Sequence, residues 1–186
     1  VDRILADTMV MSRLTGVGFL SKEEAIKYRA TGPTGRASGW NYDVRTLMHE
    51  YKPFDFEVIV LKEGDNRARV VQRALEVFEC LKIIRQVVNN LPEGPVVNRN
   101  WTVKEMPYTT AYFEAFRGEL MHSYGLDSQG LIRNYKVRTP TPTNLAAMEK
   151  ACIGDHITDA VVTIASCDPC LTCCTRIEVV ESGKTK

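Results

Sequence analysis

The sequence predicts an α+β fold, mainly α, in which one helical domain over residues 1–186 carries a small β region. Three observations predict it. Apolar residues recur at helical spacing over one long stretch: Val70, Ala74, Val77, Phe78, Leu81, Ile84, Val88 and Leu91. Shorter helices around it carry their own start and stop signals. Strand-like patterning is confined to residues 54–61, to Tyr112-Phe113-Glu114 and to Leu131–Arg138. With 186 residues, 44% of them apolar and 25% charged, the chain is long enough for a real core and has the composition of a folded protein.

The elements follow in order. Ile4, Leu5, Met9, Met11 and Leu14 give residues 1–15 a helical period that stops at Gly16. Ser21-Lys22-Glu23-Glu24 is a capping box opening a short helix to about Arg29. Thr31-Gly32-Pro33-Thr34-Gly35-Arg36-Ala37-Ser38-Gly39 is too glycine-rich for a regular element. Residues 54–61 read as a strand, and Asp65 as the N-cap of the long helix, which Asn89-Asn90 and Pro92 end. Thr139-Pro140-Thr141-Pro142-Thr143 reads as an extended connector, because proline disfavours helix in the residue before it. Asn144 then caps a helix to about Cys152, and Gly154-Asp155 opens another containing Ile157, Ala160, Val161 and Ile164.

Composition excludes some functions. A net charge of +1 gives no electrostatic footprint for nucleic acid. No run of about 18 apolar residues is present to span a membrane. The first residues lack the build of a signal peptide, and Val1 stands where an initiator methionine is expected, which suggests a processed or truncated chain or one half of something larger. Cys80 and Cys152 stand alone within helical patterns and read as small core residues. The other four cysteines crowd one end, unlike a secreted disulfide framework, which points to a reducing, intracellular setting.

Those four stand in Cys167-Asp168-Pro169-Cys170-Leu171-Thr172-Cys173-Cys174, with Arg176 after them. Cys170 and Cys173 form a C-x-x-C pair, whose soft sulfurs can converge on one metal from a tight turn. Other readings exist. Cys167, Cys170 and Cys173 share the spacing of an iron–sulfur loop, but Arg176 stands where a fourth cysteine belongs. A structural zinc site needs a second ligand pair, which His122 and His156 do not form. Unliganded surface thiols are the third reading.

Asp168-Pro169-Cys170-Leu171-Thr172-Cys173-x-x-Arg176 resembles the C-terminal metal motif of the [NiFe]-hydrogenase large subunit, in its energy-converting, complex I-related branch. Further segments are similar to ones these families share: Gly32-Pro33-x-x-Arg36-Ala37-Ser38-Gly39, Asp43-x-Arg45, Phe54-Asp55-Phe56-Glu57-Val58, Gly64-Asp65-x-x-x-Arg69, Glu114 to His122, Lys136 to Leu145, and Gly154-Asp155-His156-Ile157-x-Asp159. The resemblance covers nearly the whole chain but only the C-terminal half of the family's large subunit.

The resemblance implies a large-subunit-like C-terminal half with a metal-binding loop at 167–176. Cys170 and Cys173 would ligate nickel in a Ni–Fe centre whose iron carries carbon monoxide and cyanide, with Cys170 also a base. Arg117, Pro140 and Thr141 would face that cofactor, Arg117 and Asp168 joining Cys170 in splitting H2. Cys174 is an alternative to Cys173, Phe116 a bulky departure from the family pattern, and His122 a buttress of the loop or a core histidine. Implied partners are the N-terminal half of the large subunit, a small subunit with iron–sulfur clusters and, indirectly, membrane subunits. H2 and protons are the substrates, and no nucleic acid is involved. The expected location is cytoplasmic, on the inner face of the membrane. The leading expectation is thus reversible H2 oxidation. The alternatives are a complex I-like quinone-module scaffold without hydrogenase activity, against which retention of the cysteines argues, and an inactive metal-binding fragment.

Overall fold

A computed structural model describes residues 6–100 and 102–170. Within them, α1 (Thr8–Leu14), α2 (Lys22–Lys27) and α3 (Pro33–Arg36) lead through two 3-10 turns to the long helix α4 (Asn66–Asn89). Strands β1 (Met106–Ala115), β2 (Gly118–Leu126) and β3 (Ile132–Arg138) form an antiparallel meander, followed by α5 (Pro140–Cys152) and α6 (Ile157–Ser166). The expected mixture of helices with a small sheet is present, though the sheet is larger than the two short patches foreseen.

Side-chain caps start the early helices. Asp7 accepts from the Met9 and Val10 amides, Ser21 and Glu24 form the reciprocal box, and Asp65 accepts from Ala68 at 2.7 Å. The foreseen first helix is realised from Thr8; residues 1–5 lie outside the described set.

Four sequence expectations need correction. The glycine-rich segment does contain a helix, α3, because Pro33 sits at its first position and Gly32 turns into it at φ +67°. Residues 139–143 are not an extended connector. Pro140 and Pro142 fall in the first turn of α5, where backbone N–H groups have no intrahelical partner, so a missing donor costs nothing. Asn144 is therefore buried inside α5 rather than capping it. Cys80 is exposed on α4 and Cys152 only half-buried, so neither reads as a plain core residue.

The fourth correction concerns residues 54–61, which are extended but pair with no strand. Side chains of α4 take the place of a partner strand: Gln86 donates to Asp55 O (2.6 Å) and accepts from Asp55 N (2.8 Å), Glu79 accepts from Glu57 N (2.9 Å), and Gln72 donates to Ile59 O (2.6 Å) and accepts from Leu61 N (3.3 Å). Gln72, Glu79 and Gln86 recur every seven residues, so they form one line along the helix, and extended residues reach it at every second position. The alternation that reads as a strand is real; its hydrogen-bond partner is a helix face, which periodicity cannot reveal.

The interior is more polar than the sequence suggests. The apolar core is small and rich in alanine: Leu20, Ala25, Ala30, Ala147 and Ala151, with Tyr28 against it. The largest fully buried side chains are Arg36, Arg69, Leu20, Gln72, Asn66 and Asn144. Arg36 binds Glu76 through Nε and Nη2 (2.7 and 2.9 Å), Glu114 at 2.9 Å and the Tyr42 carbonyl at 3.0 Å, with Asp43 at 3.4 Å. Asp43 is in turn forked by Arg45. Burial would raise the Asp43 carboxyl, but the Arg45 hydrogen bond and the Arg36 and Arg45 charges hold it below the usual carboxylate range. Glu114, also buried and with Asp43 beside it, is pushed up to about 7, chiefly by burial.

Candidate functional site: a clasped turn after α6

Helix α6 ends at a residue that cannot easily continue it. His156 caps its start, and at its end Asp168 takes φ +53° while its amide bonds Ala165 O at 2.9 Å. That is the left-handed stop usually given to glycine; Pro169 follows and has no N–H to donate. An aspartate there is strained, since its Cβ crowds its own backbone.

Three side chains from different elements hold this turn. Arg73 of α4 donates to Ser166 O and Cys167 O, each at 2.7 Å. Arg117, at the tip of the β1–β2 hairpin, donates through Nε to Asp168 O (2.6 Å), and its Nη2 lies 3.3 Å from Asp168 Oδ1. Thr141 Oγ1, in the first turn of α5, accepts from Cys170 N at 3.0 Å. Consecutive backbone groups from Ser166 to Cys170 are thus fixed from three sides.

The hairpin tip owes its position to two glycines. A Cβ on Gly118 would come within 2.7 Å of Thr31 Cγ2, and one on Gly32 within 2.4 Å of the Gly118 Cα. Two backbones therefore touch where no side chain fits. Asn144 closes the contact: its Oδ1 accepts from Thr31 N (2.7 Å), and its Nδ2 reaches Thr31 O (3.2 Å) and Arg117 O (3.4 Å). Thr31 Oγ1 then accepts from Glu119 N at 2.9 Å. Phe116, the bulky departure from the pattern, is exposed and lies with its ring centre 4.2 Å from the Arg117 guanidinium carbon, a cation–π contact that supports the guanidinium.

Below the turn lie two guanidinium groups that make no ion pair among the described residues. Arg69 is fully buried and spends its donors on Ser166 Oγ, Gly64 O, Gly18 O and Asn66 Oδ1, all neutral. Arg73 makes no ion pair among the described residues, and its buried Nε has no partner. Burial holds the Arg73 guanidinium below the usual arginine range. Two cations under one helix end, where the macrodipole is negative, suit that helix terminus and any anion placed beyond it.

Cys170, Asp168, Arg117, Pro140 and Thr141 are therefore gathered in one place, while Cys173, Cys174 and Arg176 lie outside the described residues. His122 sits on β2, its Nδ1 2.6 Å from Tyr135 Oη, while most of the loop it was expected to buttress lies outside the described residues. Among the described residues no group of three or more His, Cys, Asp or Glu converges so as to hold a metal ion. Of the two cysteines expected to ligate nickel, Cys170 falls within the described residues and Cys173 outside them. Sequence reasoning missed Arg73, Thr31 and Asn144. Arg69 and Arg73, one turn apart beside Asn66 and Gln72, gave a signal: a polar patch at the buried start of a long helix.

The strained turn gives a test of its own. Asp168→Gly relieves the left-handed backbone, whereas Asp168→Ala keeps the strain and loses the same carboxylate. Asp168→Gly is expected to be about 1 kcal/mol more stable than Asp168→Ala in urea unfolding. Equal midpoints would show that the backbone conformation costs nothing.

The family model described as "Respiratory-chain NADH dehydrogenase, 49 Kd subunit" matches residues 2–112 and 101–176, and the chain belongs to that family. It is 39% identical over 167 residues to the C/D subunit of the NADH-quinone oxidoreductase of Bacteroides thetaiotaomicron, covering 86% of this chain and 31% of that protein. It is 34% identical over 172 residues to the D subunit of the NADH-quinone oxidoreductase of Desulfotalea psychrophila, covering 90% of this chain and 46% of that one. Among solved structures it is similar to one polypeptide of the membrane-bound sulfane sulfur reductase, an archaeal respiratory membrane complex, with TM-score 0.79, 29% identity, and coverage of 91% of this chain and 48% of that one. The chain thus spans about a third to a half of the length of these proteins.

These relatives correct the leading functional expectation. The two bacterial ones are subunits of NADH-quinone oxidoreductases and the third belongs to a respiratory membrane complex, so reversible H2 oxidation gives way to the complex I-like alternative, despite the retained cysteines. The physical reason is visible in the fold. Gly32, Arg36, Asp43, Arg45, Asp65 and Arg69, which carried much of the resemblance, serve as caps, close contacts, buried ion pairs and, for Arg69, buried hydrogen bonds to neutral groups. They mark a shared architecture and leave its chemistry open.

Proposed function

We propose that the chain is part of the large subunit of a complex I-like respiratory oxidoreductase, and that the clasped turn after α6 forms one wall of the site where a quinone-type acceptor is reduced. The observation that carries this is the convergence of Arg117, Thr141 and Arg73 on the turn of Asp168 and Cys170, in a chain whose relatives are named as subunits of NADH-quinone oxidoreductases. Reducing a quinone to a quinol takes two electrons and two protons, and negative charge grows on its oxygens as electrons arrive. Arg117 commits Nε and Nη2 to Asp168 and leaves Nη1 uncommitted among the described residues. A fixed guanidinium at such a wall stabilises that charge without reorganising. The Asp168 carboxylate, 3.3 Å from the Arg117 Nη2, is placed to orient Arg117.

In this reading an iron–sulfur partner supplies electrons, the site is completed by the remaining part of the large subunit, and membrane subunits hold the assembly at a membrane. No helix among the described residues is long and apolar enough to cross one.

The test is Arg117→Leu in the assembled complex. Turnover with a short-chain ubiquinone analogue is expected to fall on the order of 100-fold, with the set of assembled subunits unchanged. Arg117→Lys keeps the charge but not the fork geometry and falls between the two. An assembled Arg117→Leu complex with unaltered kcat and KM for the quinone overturns the proposal.

A further inference from the structure

We propose that Glu114 is a positioning residue for Arg117: protonated, it keeps the β1–β2 hairpin tip clasped on the turn of Asp168, and ionised, it loosens that grip. The proposal rests on the reading of Arg117 as part of the wall of a quinone site.

The first observation is a balance of charges. Four carboxylates, Asp43, Glu76, Glu114 and Glu119, meet three guanidinium groups, Arg36, Arg45 and the half-exposed Arg138. Asp43 has the fork of Arg45, and Glu76 takes Nε and Nη2 of Arg36. Glu119 is bound by Arg138 and by the Tyr42 hydroxyl. Glu114 is left with Nη1 of Arg36 at 2.9 Å, and that nitrogen also bonds the Tyr42 carbonyl (3.0 Å) and faces Asp43 (3.4 Å). The second Glu114 oxygen accepts from the Val44 amide at a long 3.4 Å. An unpaired buried charge costs more than a neutral acid, so a cluster with one carboxylate too many takes up a proton. Glu114 has the weakest claim on a cation and is where that proton goes. Its carboxyl, pushed up to about 7 chiefly by burial, agrees with the count. The nearby phenols add no charge at that pH: burial pushes Tyr42 up to about 12 and raises Tyr51 as well.

The second observation is where Glu114 stands. Ala115 pairs with Gly118 across the hairpin and Glu114 with Glu119, so Phe116 and Arg117 form the turn and the two glutamates form its root. Directly opposite residues of antiparallel strands share one face of the sheet, and here both side chains are inward, 4% and 7% exposed. Like charges at such a pair destabilise it. The Glu119 amide is tied to Thr31 Oγ1 at 2.9 Å, which anchors the β2 side. Ionisation of Glu114 therefore displaces the β1 side, three residues before Arg117, whose Nε holds Asp168 O at 2.6 Å. The protonated acid has no such repulsion and leaves the tip in place.

The test uses the assembled complex at pH 6 and pH 8.5. Deuterium exchange of the peptide carrying residues 114–121 reads the grip without turnover. At pH 8.5 wild type is expected to exchange on the order of 10-fold faster than Glu114→Gln, which cannot ionise, and at pH 6 the two are expected to coincide. Glu119→Gln removes the opposing charge while Glu114 remains free to ionise, and it too is expected to exchange slowly at pH 8.5. The ratio of kcat for a short-chain ubiquinone analogue, Glu114→Gln over wild type, is expected to rise about 5-fold from pH 6 to pH 8.5, since other pH-dependent steps cancel in the ratio. Equal exchange of wild type and both variants at pH 8.5 overturns the proposal. So does a flat kcat ratio in a complex whose turnover Arg117→Leu abolishes. The expected exchange pattern in a complex whose turnover ignores Arg117→Leu leaves the positioning role standing and removes only the quinone reading.

Discussion

Arg36→Met is expected to unfold this chain, or nearly so, at pH 8. Arg36 is 1% exposed and lies among Glu76, Glu114 and Asp43. Methionine keeps the approximate volume but removes the cation, leaving buried carboxylates without their countercharge. Removing one partner of a buried ion pair costs about 3–5 kcal/mol, a large share of the ~5–15 kcal/mol that holds a domain together. Urea unfolding of both proteins measures the loss.

The same cluster fixes how that loss depends on pH. Glu114 is raised from 4.5 to about 7, first by burial and then by Asp43, against the opposing charge of Arg36. A raised carboxyl contributes stability that is full below the unfolded value and is lost as pH climbs through the folded one. Wild type should therefore lose on the order of 3 kcal/mol between about pH 4.5 and just above pH 7. Asp43, held low, acts with the opposite sign, and only at more acid pH. Glu114→Gln should flatten the slope between pH 5 and 8, and Arg36→Met should be least damaging at pH 5, where Glu114 stays protonated. A wild-type urea midpoint constant from pH 5 to 8 would contradict the assignment.

Gly118→Ala carries the second large effect. Its new methyl would lie 2.7 Å from Thr31 Cγ2 and 2.9 Å from the Gly32 amide nitrogen, at φ +128°. Neither the backbone angle nor the space admits it. The hairpin must lift from the Thr31 loop, at about 2–4 kcal/mol. Because Arg117 is the preceding residue, the lift also draws its guanidinium from Asp168 O, so quinone turnover in the assembled complex should fall with stability. Adding Thr31→Ser removes the nearest clashing methyl but leaves the backbone contact, so rescue should be partial. Full rescue would mean that the strain at Gly118 is negligible.

Much of the local structure is legible in the chain because it depends on neighbours in sequence. Asp65 and the Ser21 box mark the helix starts, since a capping hydrogen bond spans two or three residues. The apolar row of α4 reads correctly as helical, but the sequence does not say that most of it stays exposed. Periodicity says which residues share a face, and only a partner says whether that face is covered. The prolines of 139–143 mislead for a related reason: their cost depends on which backbone amides the helix leaves unused, and that follows from where the helix begins. The site is legible only as a resemblance. Arg117, Thr141 and Cys170 lie far apart in sequence, and nothing local signals that they meet.

By itself, then, the sequence determined what short-range physics determines: caps, turns, helical faces and membership of a shared architecture. Tertiary structure alone decided which charges were buried together around Arg36, which backbone groups the turn at Asp168 would give to Arg73 and Arg117, and which face of α4 remained bare. Those outcomes depend on contacts between distant segments, where burial multiplies the worth of a charge or a hydrogen bond and no periodicity records it.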